Sequence, residues 1–361
     1  MPPEPTPSFP RVWALLGARV GDNNQVLALA EALDIPFETK PLAFNRLYRM
    51  SVRLLGPSMR SLTPASRGIL AGDPPDLTIS VGRRSVPAVL SLRARSGGRM
   101  RTVHIGNPRI SPDHFDLVIT TPQYPVPDRP NVLRLPVAMG RTAPDAPASP
   151  QVADLLARFP GPRRLLLIGG PTRFWWLAGE DVAAAVATLL RETEVEGGSL
   201  LLLGSQRTPA EVMRAAEAAL SHVRVPAAIV PREGPPSYPE MLAAADRIYV
   251  TADSVSMISE ALGTGKPLGL VPIRQTGFGR FWMASMGALQ PDRPSFPRDL
   301  RFFWRTLEER GLAGTVAAPS VGTVPDVVAM ALERIRPLLA PPAPPATGDR
   351  GGARSAPVNP A

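Results

Sequence analysis

The chain of 361 residues contains no cysteine and only three histidines, which excludes several kinds of site. Without cysteine there is no disulfide, no thiolate nucleophile and no cysteine-ligated metal. The histidines lie far apart, at His104, His114 and His222, and do not have the spacing of a metal site. We therefore expect no bound metal, although a site built from carboxylates alone would leave no such signal.

Long uncharged runs and targeting signals are also missing. No stretch of 18 residues lacks a charged residue, so the sequence predicts no membrane-spanning helix. The opening MPPEPTPSFP has no apolar signal-peptide core, which predicts a cytoplasmic protein, with a peripheral position on the inner face of the cell membrane left open. Residues 1–10 and 340–361 are rich in Pro, Gly and Ala and are predicted to be disordered tails.

Lysine is nearly absent, and this shapes the positive charge of the chain. The formal net charge is +9, and Lys40 and Lys266 are the only lysines among 40 basic residues. Arginine binds phosphate bidentately and stays charged when partly buried, which suits a phosphorylated ligand or an anionic lipid. A GC-rich genome would raise Arg, Pro and Ala together and explains the composition equally well. No nucleic-acid-binding module is recognisable, so nucleic acid is not an expected partner.

Apolar strands alternate with helices in two similar halves. The first half has predicted strands at 12–16, 77–81, 102–105 and 117–120 and a helix at 25–33; the second has strands at 164–168, 199–203, 227–230, 247–251 and 268–271 and helices at 180–191, 209–220 and 255–262. This alternation predicts an α/β protein with parallel sheets, in two Rossmann-like domains at 11–145 and 160–323 that face each other across a cleft.

Two further segments complete this division of the chain. A stretch of Ala, Pro, Asp and Ser near 144–150 looks like a linker between the domains. A helix predicted at 324–339 follows the second domain, and we expect it to pack back across the domain junction.

The segment 243–272 is the most informative part of the sequence. It predicts a strand, a polar turn, a helix and a second strand, so that the helix N-terminus offers an anion site near Asp253, Ser254 and Ser256. Glu260 lies about two turns further on the same side, where a carboxylate could hold ribose hydroxyls. This arrangement suits a sugar nucleotide. Two alternatives stay open: Asp253 or Ser254 could cap the helix, and Glu260 could be an exposed helical carboxylate.

Four strand-end loops are rich in glycine or hydroxyl groups and contain arginine. Glycine lets backbone N–H groups approach a phosphate, and arginine adds a charge-assisted hydrogen bond. Strand-to-helix turns often contain Gly and Ser without binding any ligand. The occurrence of four such loops with arginines in one chain nevertheless favours a polyanionic substrate. None of them has the dinucleotide fingerprint or the Walker loop, so no cofactor is expected. The candidate contacts are Gly17, Gly21, Gly82, Arg83, Gly170, Thr172, Arg173, Ser205 and Arg207.

Asp22 and His104 are the candidate general bases. Asp22, in the first of these loops, could deprotonate an acceptor hydroxyl in the cleft. Asp22 followed by Gln25 also has the spacing of a capping box, and the two roles are compatible. His104 ends a predicted strand, where a histidine more often has a structural role.

The segment 44–70 alternates arginine with apolar residues. Arginines at 46, 49, 53, 60 and 67 are separated by Leu, Tyr, Met and Val, as on a basic amphipathic surface. Such a surface could rest on an anionic membrane, and an ordinary helix with one wet face explains it equally well. Gly56-Pro57 argues against one long helix.

Four blocks of this sequence resemble a known family. The blocks are VWALLGARVGDNNQVLALAEAL, SVGRRSVPAVL, LLLIGGPTRFWWL and VTADSVSMISEALGTGKPL, and they resemble the plant elongated-mitochondria fission proteins and their bacterial relatives over about residues 11–340. More remotely, the chain is similar to GT-B glycosyltransferases such as the lipid-linked N-acetylglucosaminyltransferase of peptidoglycan synthesis.

The remote resemblance implies a nucleoside-diphosphate-sugar donor and a hydroxyl acceptor, which could be lipid-linked. It implies that the diphosphate meets Asp253 to Ser256, that Glu260 holds the ribose, and that Gly17–Asp22 and Gly169–Thr172 face the cleft. Where the lipid-linked transferase has a histidine in the first loop, this chain has Asp22. The alternatives are a non-catalytic scaffold of the fission type at a membrane, or a nucleoside-diphosphate-sugar epimerase. An epimerase would need a nicotinamide cofactor, for which the chain has no fingerprint.

Overall fold

The structure is a computed structural model that describes residues 10–140, 149–221, 223–289 and 298–339. Most of the two predicted tails, His222 and most of the predicted linker at 144–150 lie outside the described residues. Among the helices of the described ranges, none is long and apolar enough to cross a bilayer.

The first domain is built on a parallel sheet of six strands. Its order is β2-β1-β3-β4-β5-β6, and every neighbouring pair is parallel. The strands are β1 Val12–Leu16, β2 Phe37–Pro41, β3 Leu77–Val81, β4 Arg101–Ile105, β5 Leu117–Thr120 and β6 Val132–Arg134. The helices are α1 Val20–Ala32, α2 Val52–Leu55, α3 Pro64–Ile69 and α4 Gly82–Arg95, with 3-10 turns at Arg46–Arg49 and Pro112–His114.

The second domain repeats this plan. Its order is β10-β9-β7-β11-β12-β14, again parallel throughout. The strands are β7 Arg163–Ile168, β9 Ser199–Gly204, β10 Ala227–Ile229, β11 Arg247–Thr251, β12 Leu268–Val271 and β14 Gly314–Thr315, and a separate antiparallel pair joins β8 Trp175–Trp176 to β13 Arg274–Gln275. The helices are α5 Pro150–Arg158, α6 Gly179–Glu196, α7 Ala210–Leu220, α8 Tyr238–Ala244, α9 Val255–Leu262, α10 Gly277–Leu289 and α11 Leu300–Glu309, followed by α12 Val327–Leu339.

The two parallel sheets confirm the predicted α/β class. Their central strands are continuous apolar runs, such as Leu165–Ile168, because helices cover both faces and neither side of the strand meets water. Parallel strands need crossover connections, and the intervening helices supply them.

The domains share part of their hydrophobic core. Buried residues of α1, α9 and α12 belong to one cluster that also includes Val137 and Met139 of the segment between the domains. The last helix, α12, packs on α1, β4 and β5 of the first domain, and Arg334 donates a hydrogen bond to the carbonyl of Pro130. The C-terminal helix therefore ties the second half of the chain to the first.

The start of α1 differs from the prediction. The helix begins at Val20, five residues before the predicted start at Gln25, and its N-cap residue Arg19 makes no side-chain cap bond. Asp22 therefore lies within the first helical turn, and the predicted capping box is wrong. The polar run after Gly17 looks like a loop in sequence, but packing against the second domain makes it helical.

Candidate functional site

The carboxyl ends of the two sheets face each other across a cleft. α1 follows β1, α9 follows β11, and their first turns lie so close that a β-carbon on Gly21 would be 3.0 Å from Ser256 Oγ. The loop after β5 also reaches the second domain, because the Asp299 amide donates to the Gln123 carbonyl at 2.8 Å. Parallel α/β sheets bind ligands at this edge, so the cleft is the candidate site.

Asp253 is the centre of a buried hydrogen-bond network at the second domain's edge. Its carboxylate is 1% exposed and accepts bonds from the Gly170 amide at 2.9 Å and the Thr251 hydroxyl at 2.7 Å. Thr251 Oγ1 in turn accepts from the Gly169 amide at 2.8 Å. Burial raises the pKa of Asp253, and these hydrogen bonds offset part of that increase. The side chain therefore holds β7 and β11 together and does not cap α9.

Close packing requires the two glycines after β7. A β-carbon on Gly169 would be 2.5 Å from Asp253 Oδ1, and one on Gly170 would be 2.5 Å from the carbonyl carbon of Arg207. The loop after β9 is equally compact, since the Ser205 amide donates to Thr208 Oγ1 at 2.8 Å. Gly170 and Ser205 thus shape the edge of the cleft through contacts within the protein.

Asp22 is influenced by the positive charge of arginines from both domains. Burial raises the pKa of Asp22, and nearby positive charges offset part of that increase. Arg207 is half exposed and also contacts Asp253 at 3.5 Å. Positive charge therefore converges from both sides on one point of the cleft. The arginines that act on Asp22 are, in decreasing order, Arg19, Arg298, Arg84 and Arg207.

A second group of arginines lies along the same edge. Arg109 has a left-handed backbone with φ of 64°, and burial lowers its pKa, with smaller decreases from Arg83 of its own domain and Arg173 of the other. Arg83 donates to the carbonyls of Tyr48 and Met50 at 3.1 and 3.3 Å. The loops that bear Arg109 and Arg173 thus approach each other across the cleft.

Glu260 lies on α9 at the contact between the domains. Its Oε1 accepts a 3.3 Å hydrogen bond from Asn24 of α1, and a β-carbon on Gly140 would be 3.3 Å from its Cγ. Burial raises the pKa of Glu260. The Tyr238 hydroxyl lies near the same carboxylate and its pKa is raised well above 10, chiefly by burial, but no hydrogen bond of good geometry joins the two groups. The carboxylate therefore faces the gap between the domains and is only weakly bound there.

The other candidate residues differ in their surroundings. Gly17 closes a turn with Asn23, whose side chain bonds both its amide and its carbonyl at 2.8 and 2.9 Å. Gly82 has φ of +69° and begins α4 with open space around it. Thr172 bonds Trp175 through its backbone, and Ser254 is the N-cap residue of α9 without a side-chain cap bond.

The structure does not support His104 as a base. The ring is 0% exposed, Nδ1 is 3.0 Å from Ser80 Oγ, and Phe115 covers one face at 4.9 Å. Burial lowers the pKa of His104 to about 3, so the imidazole is neutral, and no acceptor in the cleft can reach it.

Two pockets lie outside the cleft, and metal-binding groups are missing from the described ranges. One pocket of about 460 Å³ lies between α2 and α4, and one of about 840 Å³ lies beside Trp304 and β14. Among residues 10–140, 149–221, 223–289 and 298–339, no three His, Asp or Glu side chains are grouped as metal ligands would be.

Six residues of the site were not among the sequence candidates. Arginines are frequent throughout this chain, so no local pattern distinguishes the ones that converge on the cleft. The hydrogen bond between Asn24 and Glu260 joins residues that are 236 positions apart, and a single sequence does not reveal such a contact. The six are Arg19, Asn24, Arg84, Arg109, Tyr238 and Arg298.

Replacing Gly170 by alanine tests the packing of the strand-end loops. The added methyl group meets the Arg207 backbone, which cannot rotate away, so we expect the free energy of unfolding to fall by about 3 kcal/mol. Urea denaturation followed by circular dichroism measures the change.

The Gly17→Ala variant is the matched control. A β-carbon on Gly17 meets no atom within 4 Å, so its unfolding free energy should change by no more than about 0.5 kcal/mol. Equal stability of the two variants would contradict the packing described here.

Solved structures give only a distant likeness to the whole chain. A complex of Staphylococcus aureus MnaA with UDP has a TM-score of 0.49 and 14% identity, covering 91% of this chain and 95% of that chain. This likeness is too weak to support an argument about ligand or reaction.

The sequence relatives are closer. Mitochondrial fission protein ELM1 of Arabidopsis thaliana is 28% identical over 242 residues, which span 60% of this chain and 56% of that protein. An uncharacterized protein of Rickettsia prowazekii is 24% identical over 295 residues, 71% of this chain and 82% of that protein. The family model described as mitochondrial fission ELM1 matches residues 20–289, well over half of the chain, and confirms the resemblance predicted from the sequence. The chain therefore belongs to the mitochondrial fission ELM1 family.

Proposed function

We propose that the protein binds a nucleoside-diphosphate sugar in the cleft and transfers the sugar to a hydroxyl acceptor. The observation that carries this proposal is the close approach of the first turns of α1 and α9, where the charges of Arg19, Arg84, Arg207 and Arg298 all act on Asp22. Positive charge gathered near one carboxylate favours a polyanionic ligand beside it. A diphosphate also has the geometry for bidentate bonds with arginine.

The first turn of α9 supports a diphosphate at the same place. Its N-cap residue Ser254 supplies no side-chain bond to the helix, so the first backbone amides are not capped in that way. Free amides and the helix dipole favour a negative charge at this end. Together with the arginines they would stabilise the diphosphate as it leaves with the bonding electron pair.

Glu260 would hold the ribose of the nucleotide. The Glu260 carboxylate lies further along α9 than the first turn, at the gap between the domains. The hydrogen bond that it accepts from Asn24 is long, at 3.3 Å. Ribose hydroxyls would form shorter charge-assisted bonds with it in place of the amide.

Asp22 would act as the general base. It would take the proton of the acceptor hydroxyl while the hydroxyl oxygen attacks the anomeric carbon and the bond from that carbon to the diphosphate breaks. Burial raises the pKa of Asp22, which makes its carboxylate a stronger base than that of an exposed aspartate, and the nearby arginines offset part of that increase.

Isothermal titration with UDP-, GDP- and ADP-sugars tests donor binding. We expect heat from at least one of these donors, lost at high salt because the arginine contacts are electrostatic. Folded protein that gives no heat with any donor would overturn the proposal.

A matched pair of variants tests the role of Glu260. Both Glu260→Ala and Asn24→Ala remove the contact between these residues, but only the first removes the ribose acceptor. We expect Glu260→Ala to weaken nucleoside-diphosphate binding by about 10- to 100-fold, the loss of one charge-assisted hydrogen bond, and Asn24→Ala by less than about threefold. Inorganic pyrophosphate should bind both variants equally. If both variants lose the same affinity for the nucleoside diphosphate, the carboxylate would be assigned to domain closure instead.

The Asp22→Asn variant separates binding from chemistry. Donor affinity should stay within about threefold, while release of nucleoside diphosphate falls by about 100-fold or more because the base is lost. In the parent protein the rate should fall as pH drops through the raised pKa of Asp22, since the base must be ionised. A non-catalytic protein of this fold would bind the donor and release nothing in either form.

A further inference from the structure

One stretch of the first domain is basic and contains no acidic residue of its own, although Lys40 pairs with Glu38 just outside it at 2.6 Å. Residues 39–72 include no Asp or Glu, whereas Lys40 and arginines at 46, 49, 53, 60 and 67 give this stretch six positive groups. All five arginines are exposed. A 34-residue surface of one charge sign attracts an anionic partner from solution.

The same surface exposes large apolar side chains between the arginines. Leu47 and Met50 are each 41% exposed and Leu54 is 76% exposed. Val52 and Leu62 of the same stretch are buried in the domain core and fix the backbone. We name Arg46, Leu47, Arg49, Met50, Arg53, Leu54 and Arg60 the 46–60 surface. Its exposed apolar side chains lie on a segment that Val52 and Leu62 anchor in the domain core.

The 46–60 surface is fixed to the rim of the cleft. Arg83, in the first turn of α4, donates to the Tyr48 and Met50 carbonyls, and the Arg84 guanidinium lies 4.1 Å from the centre of the Tyr48 ring. A pocket of about 460 Å³ opens behind it, lined by residues that include Val52, Arg53, Leu90 and Ile110. The surface therefore needs no folding on contact with a partner.

We propose that the 46–60 surface binds the face of an anionic phospholipid membrane. Exposed arginines interspersed with exposed Leu and Met side chains match an interface in which phosphates lie just above acyl chains. An acidic protein would satisfy the arginines but would leave Leu54 against a polar surface. The absence of carboxylates from 39–72 removes the repulsion that an anionic membrane would otherwise meet.

Membrane binding at this surface has a consequence for the cleft. Because α4 begins at the carboxyl end of β3, a bound membrane lies beside the entrance used by an acceptor. This consequence rests on the proposed transfer function, whereas membrane binding itself does not.

Flotation with lipid vesicles tests the proposal on the full chain. The vesicles contain phosphatidylcholine alone or with about one third phosphatidylglycerol, a fraction that gives a strongly negative surface. We expect binding to the anionic vesicles only, and its loss at about 0.5 M salt, where charges are screened within a few ångströms.

Three variants identify the surface. Leu54→Ser removes an apolar contact without adding charge, and we expect about tenfold weaker binding. The double variant Arg49→Gln, Arg53→Gln should weaken binding by about 20- to 30-fold, near fivefold for each arginine. Val195→Ser is the control, because Val195 is 86% exposed on α6 between Glu194 and Glu196 and should leave binding unchanged.

Several outcomes would overturn the proposal. Folded parent protein that fails to float with anionic vesicles but binds polyglutamate would assign the surface to an acidic protein. Equal losses in the Leu54→Ser and Val195→Ser variants would also contradict it. Circular dichroism confirms folding, and donor titration of the same variants separates this result from the fate of the proposed transfer reaction.

Discussion

The buried carboxylate of Asp253 is the interaction on which the second domain's half of the site depends. Asp253 is 1% exposed and accepts hydrogen bonds from the Gly170 amide and the Thr251 hydroxyl. These groups lie at the point where two neighbouring strands end. A buried hydrogen-bond acceptor of this kind contributes most to stability when all of its donors are present. Its position brings the two glycines after β7 against the end of β11, and Arg207 contacts the same carboxylate at 3.5 Å.

Across the cleft, the geometry concentrates positive charge where a helix begins. Asp22 lies in the first turn of α1 among arginines of both domains, and Gly21 contacts Ser256 of α9 closely enough to exclude a larger side chain. Such a site attracts anions, because arginines of both domains act on the same point. Sites of this kind are typical of ligand-binding clefts, in which the ligand supplies the missing charge.

Sequence patterns predict local elements here and miss contacts between distant ones. The strands at 12–16, 77–81, 117–120 and 247–251 and the helix at 255–262 agree with the structure residue for residue, since continuous apolar runs between turns are a local signal. The predicted start of α1 is wrong because Asp22, which has the spacing of an N-cap residue in the sequence, lies in the first helical turn, where its charge suits the helix dipole. The sequence predicts a ligand contact for Asp253, with a helix cap as the alternative, and it does not reveal the contact with Gly170 because that residue lies 83 positions away.

A crystal structure of the protein soaked with UDP tests the central claim most directly. The account predicts the diphosphate between the first turn of α9 and the guanidinium groups of Arg19, Arg84, Arg207 and Arg298, with the ribose beside Glu260. UDP bound outside the interdomain cleft, or absent at saturating concentration while those arginines extend into solvent, would contradict it.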